Sequence, residues 1–176
     1  MNPGVSVDIK AEVNIPIPEH EHWMKVIREV GDMALNAIHE NFWQGGRPDK
    51  WKPLVTGQPS FLMKSTDLYN SIQVTTREEG GDYIARLATT GGLPYAEIHQ
   101  FGGSIQHPGS KKAVPLMING ELSFRVMGPH TINIDARPYM VLTEEDEKAI
   151  TGTSVGMIVE FLEATPTKTV KKGEEF

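Results

Sequence analysis

Apolar residues in this chain change their spacing at Pro18, and a chain that does so must build both a sheet and a helix. Before Pro18, Val5, Val7, Ile9, Ala11, Val13, Ile15 and Ile17 alternate with Ser6, Asp8, Lys10, Glu12, Asn14 and Pro16. Period two predicts a β-strand over residues 4–17 with one buried face. Pro16 cannot donate to a ladder, so the end of that strand belongs at an edge or outside the sheet. After Pro18, Trp23, Ile27, Val30, Ala34, Ala37, Ile38 and Phe42 recur at steps of three and four. That spacing predicts an amphipathic helix over 19–43. Glu19 and Glu21 suit its positive N-terminal end, and Gly45–Gly46 stops it.

Downstream the signals shorten. Pro48, Pro53, Gly57 and Pro59 make residues 47–60 an extended loop carrying Trp51 and Leu54. A short helix capped by Ser65 or Thr66 follows, with Leu68 and Tyr69. Residues 71–77 read as a strand, Glu79–Gly80–Gly81–Asp82 as a turn, and 83–89 as the returning strand. Residues 94–100 predict a brief helix opened by Pro94 and closed by Gly102–Gly103 in left-handed geometry. Residues 104–112 read as a polar loop. Asn119–Gly120 between 113–118 and 121–127 is a type I′ hairpin signal, since both central residues need positive φ. Pro138 holds Arg137 extended. Thr143 caps a last helix with an acidic first turn, Glu144, Glu145 and Asp146. Its expected buried stripe is Ala149, Ile150, Val155, Ile158, Val159 and Leu162, with a break near Thr151–Thr153 where Gly152 and Gly156 weaken it. The fold class is therefore α+β: a mostly antiparallel sheet packed by a long N-terminal and a C-terminal helix, with an extended β-hairpin. Residues 1–165 form one domain, and 166–176 a mobile charged tail.

Composition removes whole classes of function. The absence of cysteine among 176 residues excludes disulfides, zinc ribbons, thiol catalysis and iron–sulfur ligation. It also fits a protein made in a reducing cytoplasm. No apolar run is long enough to span a membrane, and no secretory signal is visible. The net charge of −6 argues against tight nucleic-acid binding, which needs lysines and arginines to neutralise phosphates. An acidic wall would instead repel DNA and let it slide.

No catalytic arrangement is complete. Neither a Gly-x-Ser-x-Gly elbow nor a phosphate loop is present. His39–Glu40 starts a zinc-protease pattern, but Trp43 stands where the second histidine must be. His20 and His22 point to different sides of a helix and read as solvated. Glu97, His99 and His107 are candidates for a facial metal site or a general base. The alternative is that His99 hydrogen-bonds the loop backbone and fixes its shape. Trp51, Tyr69, Tyr95 and Phe101 read as core anchors rather than a base-stacking platform, because no basic residues interleave with them. Arg137 is either an inter-subunit salt-bridge donor or a loop residue paired within its own chain.

Three segments stand out together: Trp51–Leu54, the run Tyr95, Ala96, Glu97, Ile98, His99, Gln100, Phe101, Gly102, Gly103, and Ala136–Tyr139 before an acidic helix start. In this order they resemble the phage virion morphogenesis (tail completion) family of Mu-like phages and prophages. Asp67–Ile72 matches the same pattern, and the resemblance spans Ile9 to Leu162. It implies a structural, non-enzymatic protein that completes the tail or joins it to the head. It also implies a ring, sixfold as tails are, between a head–tail connector and tail tube or terminator proteins, with DNA passing through the lumen without sequence-specific binding. Location would be the neck or tail of the virion, after assembly in the host cytoplasm. The resemblance makes Trp51, Tyr95, His99, Gln100, Phe101, Gly102, Gly103, Arg137 and Pro138 the structural or assembly motif. It implies no cofactor, no metal and no membrane. An assembly chaperone absent from the finished particle is the alternative, and a metal-dependent hydrolase around Glu97, His99 and His107 a more distant one. A ring subunit needs a rigid body with extensions that reach its neighbours, and an edge strand can supply them by pairing.

Overall fold

A computed structural model describes residues 6–10, 20–54, 62–118 and 120–164, with backbone alone at 6–10 and 118. The architecture is α+β. A helix α1 (His20–Gln44) lies across a three-stranded antiparallel sheet of order β1-β3-β2, formed by β1 (Ser6–Lys10), β2 (Ile72–Glu79) and β3 (Asp82–Thr89). The period-3.6 stripe does what its spacing predicts. Val26, Ile27, Val30, Ala34, Ile38 and Phe42 are buried. They face Ala85 and Leu87, the fully buried residues of the central strand. Gly31 lets the helix approach the sheet closely: a Cβ there would stand 2.6 Å from Val74 Cγ2 and 3.3 Å from Ala85 Cβ.

β1 pairs with β3 from Ser6↔Ala88 to Lys10↔Ile84 and forms one edge of the sheet. The rest of the expected strand over 4–17, including Pro16, lies outside the described residues, as do Glu19, much of the 47–60 loop, Asn119 and the tail over 166–176. The β2–β3 turn has positive φ at Gly80 and Gly81, as its residues predict. The short helix α2 (Asp67–Ser71) begins after Thr66, at the expected place but by different means. Thr66 sits at φ 60 and makes no side-chain cap. Its hydroxyl donates instead to the Ser65 carbonyl at 2.6 Å.

The C-terminal helix α4 (Glu144–Ala164) packs on α1. Its start is a reciprocal cap: the Thr143 hydroxyl accepts from the Asp146 N–H at 3.2 Å, and the Asp146 carboxylate accepts from the Thr143 N–H at 2.9 Å. Two expectations fail here. The helix runs unbroken through Thr151–Thr153, because packing on α1 outweighs a glycine cost of about 1 kcal/mol per site. Its buried stripe is also narrower than predicted. Only Ile150 and Ile158 are buried, while Ala149, Val155, Val159 and Leu162 are exposed, since α1 covers one side alone.

Residues 104–112 are not simply a loop. The short helix α3 (Ala96–Phe101) starts two residues later than predicted, with Tyr95 rather than Pro94 beside its first turn. It leads directly into β4 (Gly103–His107), which pairs with β7 (His130–Ile134). Between them runs the predicted hairpin, β5 (Val114–Ile118) with β6 (Glu121–Arg125), turning at Gly120 with φ +83. Ser110 and Met127 bridge the two ribbons: the Ser110 N–H donates to the Met127 carbonyl at 2.8 Å, and the Met127 N–H to Ser110 Oγ at 2.9 Å. β4–β7 and β5–β6 thus form one interrupted two-stranded arm, about 16 residues a side and roughly 50 Å in contour at the usual rise per residue.

Candidate functional site

The arm springs from the body at the place where the sequence motif converges. The chain from Arg137 to Val141 has no regular structure, yet Tyr139 and Met140 are buried. Its main-chain polar groups therefore need partners, and side chains from three other elements supply them. Gln100 Oε1 accepts from the Tyr139 N–H at 3.0 Å and the Met140 N–H at 3.1 Å. Asn41 Nδ2 donates to the carbonyls of Tyr139 and Val141, both at 2.8 Å. Trp51 Nε1 donates to the Pro138 carbonyl at 3.3 Å. The Arg137 N–H donates to the His99 carbonyl at 2.7 Å. Tyr139 returns a bond from its hydroxyl to the Ala96 carbonyl at 3.2 Å, and burial pushes that phenol upward. These bonds form a clasp that ties α3 and the arm's far root to α1.

Asn41 is fully buried, and its Oδ1 accepts from Arg47 Nε at 3.0 Å. The Arg47 guanidinium reaches the Asp146 carboxylate through two bonds of 3.1 and 3.0 Å and the Ala37 carbonyl at 2.6 Å. Burial works against the Asp146 charge, but bonds from Thr143 and Arg47 overcome it and hold the carboxyl below its ordinary value. The loop after α1 is thereby fastened to the start of α4.

The motif residues divide accordingly. Trp51, Gln100, Arg137 and Pro138 meet in the clasp. Gly102 is required at the arm's near root: its φ is +73, and a Cβ there would stand 2.9 Å from the Ala136 nitrogen and 3.0 Å from the Ile134 carbonyl oxygen. Gly103 opens β4. Tyr95 is half-buried and meets His99 edge-on, with ring centres 6.0 Å apart. Phe101 is no core anchor; at 68% exposure it stands on the surface beside the arm, because the helix turns its preceding residue, Gln100, inward. The hydrogen bond expected of the His99 side chain is made by its backbone instead. His99 Nδ1 is buried without a partner among the described residues, and burial, then the nearby Arg137, hold the imidazole below its ordinary value.

Glu97, His99 and His107 do not assemble. His107 Nδ1 accepts from the Gly109 N–H at 3.0 Å, and its ring lies 4.9 Å from that of His130 across the ribbon. Among the described residues no group of three histidine, aspartate or glutamate side chains is placed to hold a metal. His22 is not solvated as expected but lies on Phe161, ring centres 3.9 Å apart. His39 stacks on Tyr69 at 3.9 Å, and burial lowers its pKa. No described helix is long and apolar enough to cross a membrane.

Sequence reasoning missed Asn41, Arg47 and Asp146. Asn41 carried a usable signal, since it continues the buried stripe three residues after Ile38 and a polar residue there must find a partner. Asp146 was legible only as part of the acidic helix start; its pairing with Arg47 carried no signal, the two being 99 residues apart.

Comparison with known proteins gives a consistent result. The family model for phage virion morphogenesis proteins matches residues 19–157. The Mu-like prophage FluMu G protein 2 of Haemophilus influenzae is 32% identical over 130 residues, covering 73% of each chain. No solved structure matches significantly.

Proposed function

The chain belongs to the phage virion morphogenesis family, and from that premise we propose that it is a non-enzymatic structural subunit of the particle's neck. In this reading it forms a ring, sixfold by analogy with tails, that completes the tail or joins it to the head. Its neighbours are the connector above and the tail tube or terminator below, and DNA passes through without sequence-specific contact. The observation that supports this best is the division of labour in the fold. A body fastened by buried polar bonds carries an arm on which Ile105, Met117, Leu122, Phe124 and Ile132 are all exposed. A protein that acted alone would have no use for apolar side chains displayed on a projecting ribbon. Phe101, at the root of the arm, belongs to the same display.

Mass spectrometry of purified virions, together with imaging of the neck, tests the reading. The protein is expected in stoichiometric amount at the head–tail junction. Presence during assembly but absence from finished particles would replace the ring with an assembly chaperone. Complete, joined and infectious particles formed without the protein would refute both.

A further inference from the structure

Among the described residues, the arm's tip and the outer face of α4 are two unpartnered apolar surfaces of unlike shape. On the tip, Pro115 pairs with Phe124 and Met117 with Leu122, so all four side chains share one face of the ribbon. That face is open: Met117 is 68% and Phe124 64% exposed. On α4, the exposed Val155, Val159 and Leu162 fall at steps of four and three and so line one stripe. Gly152 and Gly156 border it, with nothing among the described residues within 4 Å of a Cβ position, which leaves the helix surface low enough for close approach.

Charge distinguishes the two surfaces. The hairpin region carries exposed Lys111, Lys112 and Arg125 against a single carboxylate, Glu121. The exposed side of α4 carries Glu144, Glu145, Glu147, Glu160 and Glu163, with Lys148 as its one cation and that 3.6 Å from Glu144. Two tips facing each other would oppose like charges, as would two α4 stripes. Tip against helix pairs opposite charges around two apolar centres, and the arm is long enough to reach beyond its own body.

We propose that the apolar face of the β5–β6 tip docks on the Val155–Val159–Leu162 stripe of a second copy of this chain. Each copy then gives one surface and receives the other, and such a head-to-tail contact closes into a ring when the rotation between copies allows. The proposal supplies the subunit contact for the ring reading and rests on it.

The chain has no cysteine, so single engineered thiols report cleanly. Phe124→Cys and Val159→Cys variants of the full chain, purified and mixed under mild oxidation, are expected to give a cross-linked heterodimer. Neither variant alone should dimerise covalently. The double variant should give a ladder of linked oligomers. Reversing Lys111, Lys112 and Arg125 to glutamate is expected to weaken association on the order of tenfold, and lysines at Glu160 and Glu163 should restore it. Phe124–Phe124 linkage, linkage within one chain, or no linkage up to the solubility limit would each overturn the proposal. Circular dichroism of each variant confirms the fold. Detection of the protein in virions is scored separately: particles that contain it while the cross-link fails overturn this contact alone.

Discussion

At the scale of single residues, the clasp shows how a short irregular segment is held in a core. Gln100 satisfies two buried amides at once. Leucine at that position keeps the volume and removes the acceptor, and each orphaned amide costs about 1–3 kcal/mol. Gln100→Leu is therefore expected to lower unfolding free energy by roughly 2–6 kcal/mol, read by urea denaturation. The Arg47–Asp146 pair behaves similarly. Arg47→Ala leaves a partly buried carboxylate without its cation and should cost about 3 kcal/mol. Acid dependence follows from the shifted groups. His39 and His99 are held below the ordinary 6.5, so on acidification the unfolded chain takes up protons first. Stability should fall as pH drops below 6.5 and level off once the lowered folded values are passed. Asp146 is held below the ordinary 3.8; its contribution is complete above that value and is lost as pH falls through the folded one. His39→Phe keeps the stack on Tyr69 and should reduce the first loss to the share carried by His99 while leaving the second, measured by urea denaturation as a function of pH.

At the scale of elements, the sequence reads best where the period is long and one face is covered. The α1 stripe, the β2–β3 hairpin and the β5–β6 hairpin each carry a local signal, and each occurs where that signal puts it. β4 carries none. Gly103, Ser104, Gln106 and His107 surround one apolar residue, Ile105, and the strand exists because β7, nearly thirty residues away, pairs with it. The clasp was legible only as a set of residue types. That Trp51, Gln100 and Pro138 were special could be read; that they meet on the main chain of one segment depends on tertiary distance. Gly31 marks an element-level constraint of the opposite kind. Alanine is the better helix former, but its methyl would press into Val74. Gly31→Ala is expected to destabilise by roughly 1–3 kcal/mol, and Val74→Ala in the same chain should remove part of that loss, both measured by thermal unfolding.

At the scale of the molecule, body and arm are nearly independent in their contacts. The strands of the arm pair with one another, and among the described elements the substantial packing of the body involves the two long helices, the sheet and α2. Replacing residues 113–126 by a short glycine-containing turn should therefore leave the thermal midpoint within a few degrees of the parent while abolishing assembly, checked by calorimetry and light scattering. A midpoint that collapsed would show that the hairpin is part of the folding unit.

The two roots of the arm enter the core side by side, joined where the Arg137 N–H meets the His99 carbonyl. A ribbon fixed at both ends is a lever rather than a thread. Tension on its tip divides between two anchors, and no single strand can be peeled away from a free end. The near anchor is the helix carrying Gln100, the far one the segment that Gln100 grips, so a pull draws the two halves of one fastening in the same direction. Load on the tip is thus carried into the core without unravelling the body that bears the arm.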